Sequence, residues 1–554
     1  MGILSSTILL LIWIGLFNNL SFSAVLNAKE ISSLKQISWF PSAPCPSENE
    51  AEELRQLAKK NYSTYYNKIN RKDCYKPWTV LVYMAADNNL TPYAYWDLYE
   101  MESGWSKEDT DRFAQNWGTF SNSKDKKNNK FIAGSSSRLD VITQLDTEGN
   151  HGINRYHMFQ SDQIYSNNKT LNYFKNDFPN QIYSPIIEQL PEEKEDHSQK
   201  KYNLRLLDFL ERSIKQYPAQ NYMLVIWGHG QGWAPVKGDN SSLSRGFGGV
   251  GFDESQNTYL AIPTIRGLLR SISHRVFEDK KVLDVYASDA CLMQMLEVAT
   301  EIAPVTRFIS GSAQTQDYLG LPYRHLFYAI NTQNFNGLKQ WNHNEPVYLH
   351  DNILDEAYLV SKNLPKYALS SFDPQFGLQT QISPEAVKMM TMSSLSSASF
   401  LNELLPAVSH WGNALTKYLK EDYFRGIDIE NEINQSPVFL GTGQDLGIFS
   451  TQILSLLKSE SERQGVETQA AQNLKIQSNA LKSAMQKTVI SYEVGSYYKG
   501  VDHQLYLSGF KGLSVWLPKN KDEFTSKFEI YKKSTLYKTV LDWPKWIESL
   551  YSNQ

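Results

Sequence analysis

Cysteine is scarce in this chain: Cys45, Cys74 and Cys291 are the only three in 554 residues. If the chain is exported, Cys45 and Cys74 are placed to pair and leave Cys291 as the odd thiol, with two unpaired thiols as the alternative. A zinc site would need more Cys and His ligands than any one strand edge here offers. Excess charge of one sign is also missing. The net charge is −4 and no long basic stripe occurs, so nucleic acid is not an expected partner. Beyond the N-terminus no apolar run approaches membrane-spanning length. There is no EF-hand-like loop and no internal repeat.

What is present suits a globular protein, with 41% hydrophobic and 21% charged residues. The length is too great for one small core and implies one large domain with additions, or two domains. The run Ser6–Phe17 has signal-peptide length, and the small residues Ser21, Ser23 and Ala24 follow it. Residues 1–23 are therefore expected to be a signal peptide and the protein to be secreted, periplasmic or cell-surface. The segment before the run carries no Lys or Arg, so a buried or anchoring helix is the alternative. Residues 24–76 are polar and form an N-terminal extension or pro-segment, with one helix around 50–70.

From there apolar, β-branched runs alternate with helical spacing. Trp78–Ala86 reads as a buried strand ended by Asp87-Asn88-Asn89 as a helix cap, with a helix over 91–103. Residues 105–137 read as an exposed insertion, its Lys124–Lys130 run a solvated loop, and 150–200 as mostly loop. Further strands are expected at Leu139–Leu145, Tyr222–Trp227, Val282–Ala287 and Arg307–Ser312, with helices ending near Tyr217 and spanning 262–273. The predicted class is α/β, with a parallel sheet and helices on both faces. The core is placed at 77–330. Residues 331–554 are expected to be mainly helical, with a late strand at 512–518 completing the sheet.

In such a sheet ligands bind beyond the carboxyl ends of the strands. His229 follows the strand ending at Trp227, and Cys291 lies in Ser288-Asp289-Ala290-Cys291-Leu292-Met293, between a strand and a helical run over 294–302. A helix start beside the thiol would favour the nucleophilic thiolate. With His229 as base, Cys291 has the makings of an acyl-transfer dyad. The N–H groups of Gly230 and Cys291 are candidate oxyanion donors. The plainer alternatives are a small buried cysteine and a hydrogen-bonded structural histidine.

Three ordered motifs, Tyr83-Met84-Ala85-Ala86-Asp87-Asn88-Asn89-Leu90, Trp227-Gly228-His229-Gly230-Gln231-Gly232-Trp233 and Asp289-Ala290-Cys291-Leu292-Met293, resemble clostripain-type (C11) cysteine peptidases of the caspase-like clan. Gly251-Phe252-Asp253 and 512–518 fit in order. The resemblance covers 76–330 well and the C-terminal third loosely. It implies a caspase-like α/β/α sandwich with a mainly parallel central sheet and His229 and Cys291 as the dyad, with no obligatory third acid. It also implies cleavage of proteins or peptides after Arg or Lys, using acids in the S1 pocket.

Asp289 matches one such acid. After the fifth strand this chain departs from the Pro-Gly-Asp-Gly-Trp-like loop of many members, because Gln316–Tyr323 puts Leu319 where the second acid is expected and Asp317 two positions earlier. Activation by self-cleavage between His and Cys is common in the family, and the 234–248 loop offers Lys237 and Arg245. The sequence itself requires no cofactor and assigns no metal ligand, although some members need calcium. Neither nucleic acid nor, after signal removal, membrane is an expected partner. The rival readings are a caspase-like peptidase or transpeptidase with non-basic P1 preference, and a non-catalytic surface binding protein.

Overall fold

Strand Cys74–Ala86 (β1) runs through the middle of the molecule, and every residue from Trp78 onward is buried. It is seen in a computed structural model that describes residues 43–46, 51–105, 133–148, 152–161, 164–165, 182–190, 198–233, 248–333, 335, 348–349, 353–371, 390–422, 424–436, 438–439, 443–495 and 511–552. The expected signal peptide, most of the 105–137 insertion, Lys237 and Arg245 lie outside the described residues.

The other strands of the central sheet are β2 (Leu139–Thr147), β3 (Ile153–His157), β4 (Ile186–Leu190), β5 (Ala219–Trp227), β6 (Leu283–Asp289), β7 (Thr306–Gly311), β8 (Thr391–Ser396) and β9 (Val489–Val494), with the two-residue strand Ala43–Pro44 paired to the start of β1. Their order is β9-β8-β7-β6-β5-β1-β2-β3-β4. The middle, β7-β6-β5-β1-β2, is parallel throughout, and antiparallel strands finish both margins. All five expected strands from 78 to 312 are therefore present and adjacent.

Because side chains alternate across a strand, the sheet feeds two cores. Leu81, Tyr83, Leu224, Ile226 and Tyr286 face helices Gln199–Gln216, Ile262–Arg275 and Leu296–Ile302. Val80, Val82, Met84, Val225 and Val285 face helices Thr91–Glu102, Tyr323–Thr332 and Glu356–Ser371. The result is a three-layered α/β/α sandwich with a mainly parallel sheet, as expected.

The region before β1 is built into this framework. The expected helix over 50–70 is two helices, Ala51–Lys60 and Tyr62–Lys68, divided at Asn61, whose side chain caps the second. Cys45 and Cys74 form a disulfide. Arg71 pairs with the wholly buried Asp140 of β2, which also takes Lys76 at 3.0 Å and His157 at 3.1 Å. Burial opposes ionisation of Asp140, but Arg71, then Lys76 and His157, overcome it and hold the carboxyl below the usual range. Buried ion pairs of this kind tie the N-terminal helices to the sheet.

The late strand is a correction. Ser514–Val515 does not join the central sheet; it pairs with Gly443–Asp445 in a separate three-stranded sheet. The sheet margin on that side is instead completed by β8 and β9. Strand β8 reads Thr-Met-Ser-Ser-Leu-Ser and has no apolar run to announce it. Its hydroxyls provide the adhesion instead: Ser394 meets Ser310 at 2.7 Å, and Thr391 meets Ser312 at 3.2 Å. The C-terminal region is otherwise mainly helical, including Leu405–Leu419, Leu446–Gln464, Gln469–Thr488 and Asp542–Ser552. Among the described residues no helix is long and apolar enough to cross a membrane.

Candidate active site

Parallel register sets the site. Trp227 of β5 is opposite Asp289 of β6, so the chains leave the sheet side by side, and His229 and Cys291 lie two residues further along each. Gly228 N–H donates to the Asp289 carbonyl at 3.2 Å and holds the two exits together. Gly230 then crosses the Cys291 backbone so closely that a Cβ there would lie 2.3 Å from the Cys291 carbonyl oxygen. No larger residue fits, and the closeness brings the Gly230 and Cys291 main chains to one rim.

Residues 290–295 form a turn in which Leu292 adopts a left-handed φ of 62°, an uncommon conformation for a branched side chain. The turn is held on both sides. Leu292 N–H donates to Gln314 and Gln294 N–H to Ser312. From the other side the 512–518 segment docks on it, with Ser514 N–H on the Gln294 carbonyl at 3.0 Å and Trp516 N–H on Glu297 at 3.0 Å. The late segment thus supports the Cys291 turn rather than extending the sheet.

This arrangement changes one expectation. The helix begins at Leu296, not beside the thiol, so its positive end is a full turn away from Cys291. Burial pushes the thiol up; the Gln316 N–H, 3.3 Å from Sγ, opposes this, while the Asp289 charge adds to it. Burial likewise lowers His229, against a weaker pull from Glu254. Both shifts favour the neutral thiol–imidazole pair over the thiolate–imidazolium form in the resting site. His229 and Cys291 line one open cleft with no hydrogen bond between them.

His229 has its own partner. Nε2 lies 2.7 Å from Asn89 Oδ1, and an amide oxygen only accepts, so the ring proton sits on Nε2 and Nδ1 keeps the basic lone pair. The sequence reading treated Asn89 as part of a helix cap. In the structure the cap position is Leu90, and Asn88 does the local bonding, accepting from Leu90 N–H. That left Asn89 available for the histidine; its place in the first motif was the only signal.

The floor of the cleft is Asp289, 4% exposed. Its Oδ1 accepts from Gln316 Nε2 at 2.6 Å, and its Oδ2 from Leu321 N–H at 3.0 Å and Tyr323 O–H at 2.7 Å. All three donors are neutral. Burial raises the carboxyl to about 6, against the Leu321 and Tyr323 hydrogen bonds. Behind it Asp97, wholly buried, accepts from Trp227 Nε1 at 2.6 Å. Asp97 is raised well above the usual range by burial first and by the charges of Asp289 and Glu100 next, a second acid that sequence spacing gave no reason to place here.

Gly320, at φ 61°, passes so close that a Cβ would lie 2.6 Å from Asp289 Oδ2. Asp317 reaches the cleft wall, and its Oδ1 accepts from Leu319 N–H at 3.0 Å. Leu319 itself is fully buried in the second core and presents nothing to the cleft. Tyr318 stands at the rim, stacked on Tyr93 at 4.9 Å between ring centres. Among the described residues no group of three or more His, Cys, Asp or Glu is placed to hold a metal ion.

A thiol and an imidazole at neighbouring strand ends of a three-layered sandwich, above a buried carboxylate, are the groups that a cysteine hydrolase of caspase-like architecture would use. The chain belongs to the clostripain family, whose model matches residues 82–550, and is a cysteine peptidase. Among solved structures it is similar to a secreted C11 cysteine protease from Bacteroides thetaiotaomicron in complex with an irreversible peptide inhibitor (17% identity, 85% of this chain and 99% of that one, TM-score 0.48). It is also similar to an inactive zymogen C11 protease from Parabacteroides distasonis (19% identity, 84% and 98%, TM-score 0.46). No curated protein matches the chain.

Proposed function

We propose that the protein is an exported cysteine endopeptidase that hydrolyses peptide bonds after Arg or Lys, with Cys291 as nucleophile and His229 as its base. The observation that carries this reading is the shared cleft: thiol, imidazole and the buried Asp289 carboxylate line one cavity, and every donor on Asp289 is neutral. Among the described residues no cation bonds to that carboxylate, so a P1 cation would bring it a charge partner in a setting of low dielectric.

In the reaction Nδ1 of His229 takes the Cys291 proton as sulfur attacks the scissile carbonyl carbon. The oxyanion is received by the Gly230 and Cys291 N–H groups. His229 returns the proton to the departing amine, and water then hydrolyses the thioester by the same route. The neutral resting pair suits a transfer that occurs only when substrate is seated. Export rests on the apolar run at 6–17, and activation by self-cleavage at Lys237 or Arg245 rests on the composition of the 234–248 loop.

A panel of fluorogenic peptides differing only at P1, with Cys291→Ala as control, tests the specificity. Arg and Lys should dominate; turnover confined to uncharged or acidic P1 would transfer the reading to the non-basic rival. Asn89 is proposed as the residue that orients His229. Asn89→Ala should lower kcat about 10-fold with KM little changed, because a freely turning imidazole spends less time facing the thiol. An unchanged kcat would remove Asn89 from the machinery.

A further inference from the structure

Among the described residues, Gln316 hydrogen-bonds to both Cys291 and Asp289. Its main-chain N–H lies 3.3 Å from Cys291 Sγ, and its side-chain Nε2 donates to Asp289 Oδ1 at 2.6 Å. Since a carboxylate accepts only, that contact fixes which end of the carboxamide faces Asp289. Gln316 lines the cleft, and its other end, Oε1, is buried with no donor among the described residues. The position that the family pattern would give to a second acid is empty of acceptors here, because Leu319 is turned into the core.

We propose that Gln316 is the second P1-recognition residue, its Oε1 accepting a hydrogen bond from the P1 ammonium or guanidinium while Asp289 holds the charge. The inference rests on the basic-P1 reading above. It adds an amide oxygen beside the Asp289 carboxylate in an S1 pocket whose wall also carries Asp317. Such a pocket still prefers cations, because an uncharged P1 side chain leaves both Asp289 and Oε1 without a donor from substrate. An arginine, with five N–H groups in a planar fork, reaches the two acceptors together more readily than a lysine does. Any side chain other than proline at 316 preserves the N–H on Sγ, so the side-chain contribution is separable from support of the thiol.

The test uses Gln316→Met, which keeps length and shape but removes the acceptor together with the Nε2 donor to Asp289, and Gln316→Glu, which also loses that donor but turns the acceptor into a charge. The readout is the ratio of kcat/KM for an Arg-P1 peptide to that for the same peptide with norleucine at P1, at pH 8. Alkylation of Cys291 by iodoacetamide, measured alongside, confirms in each variant that the site has formed. We expect the ratio to fall about 10-fold in Gln316→Met and to rise about 10-fold in Gln316→Glu. Ratios within 2-fold of the parent in a variant that alkylates normally, or a shift in the same direction in both, would overturn the proposal. A parent enzyme that turns over norleucine but not Arg or Lys would instead overturn the basic-P1 reading, which is a separate failure.

Discussion

Cys291→Ala should reduce peptide hydrolysis by about 10⁴-fold or more, and His229→Ala by a similar factor, with the double variant little worse than either. The reason is geometric. The two residues leave neighbouring parallel strands at matched register and share one cleft. Sulfur without a base, or a base without sulfur, leaves only the binding and oxyanion contributions, so the two losses do not add. The same variants check the dependent proposals. A thiol-directed peptidyl inhibitor should label the parent and not Cys291→Ala, and any cut within 234–248 should disappear with the thiol. Losses that multiplied in the double variant would mean that the two residues act independently. That would end the dyad reading while leaving the fold untouched.

Asp289→Asn should have two opposite effects. Against Arg- or Lys-P1 peptides kcat/KM should fall about 100-fold or more, since a buried charge partner of the substrate is lost. Stability should rise at neutral pH. Burial raises Asp289 from the ordinary carboxylate value of 3.8 to about 6, so the folded protein binds this proton more tightly than the unfolded chain does. Wild-type stability therefore declines as pH rises from about 4 to about 6, and above that ionised Asp289 costs about 3 kcal/mol. The asparagine variant escapes that cost. Its thermal midpoint should exceed the wild type's at pH 8 and approach it near pH 4. The activity corollary is that cleavage after basic residues weakens below about pH 6, as Asp289 takes its proton. A variant that loses stability equally at both pH values would show that Asp289 is a structural acid held by Tyr323 and Leu321, not one kept at a cost for substrate.

The five strands from 78 to 312 were legible because a parallel strand covered on both faces must be apolar throughout, and such runs stand out from their surroundings. Strand β8 did not stand out, because its hydroxyls pair with those of β7 and no apolar signal is needed. The strand-end glycines around His229 had a readable cause as well: a Cβ at Gly230 would strike the Cys291 backbone. Asp289 was legible from its place two residues before the thiol.

The sequence by itself determined the layered α/β plan, the five central strands and the candidacy of His229, Cys291 and Asp289, since these rest on local pattern and on motif order. Only the tertiary structure decided that Asn89 meets His229, that Gln316 bridges Cys291 and Asp289, and that Asp97 lies behind them. It also moved the helix start away from the thiol, which burial pushes up, and moved the 512–518 segment from the sheet margin to the Cys291 turn. The physical reason is common to all of these. Each depends on which side chains loops of distant origin bring together, and on how deeply burial isolates their charges; neither quantity is periodic along the chain.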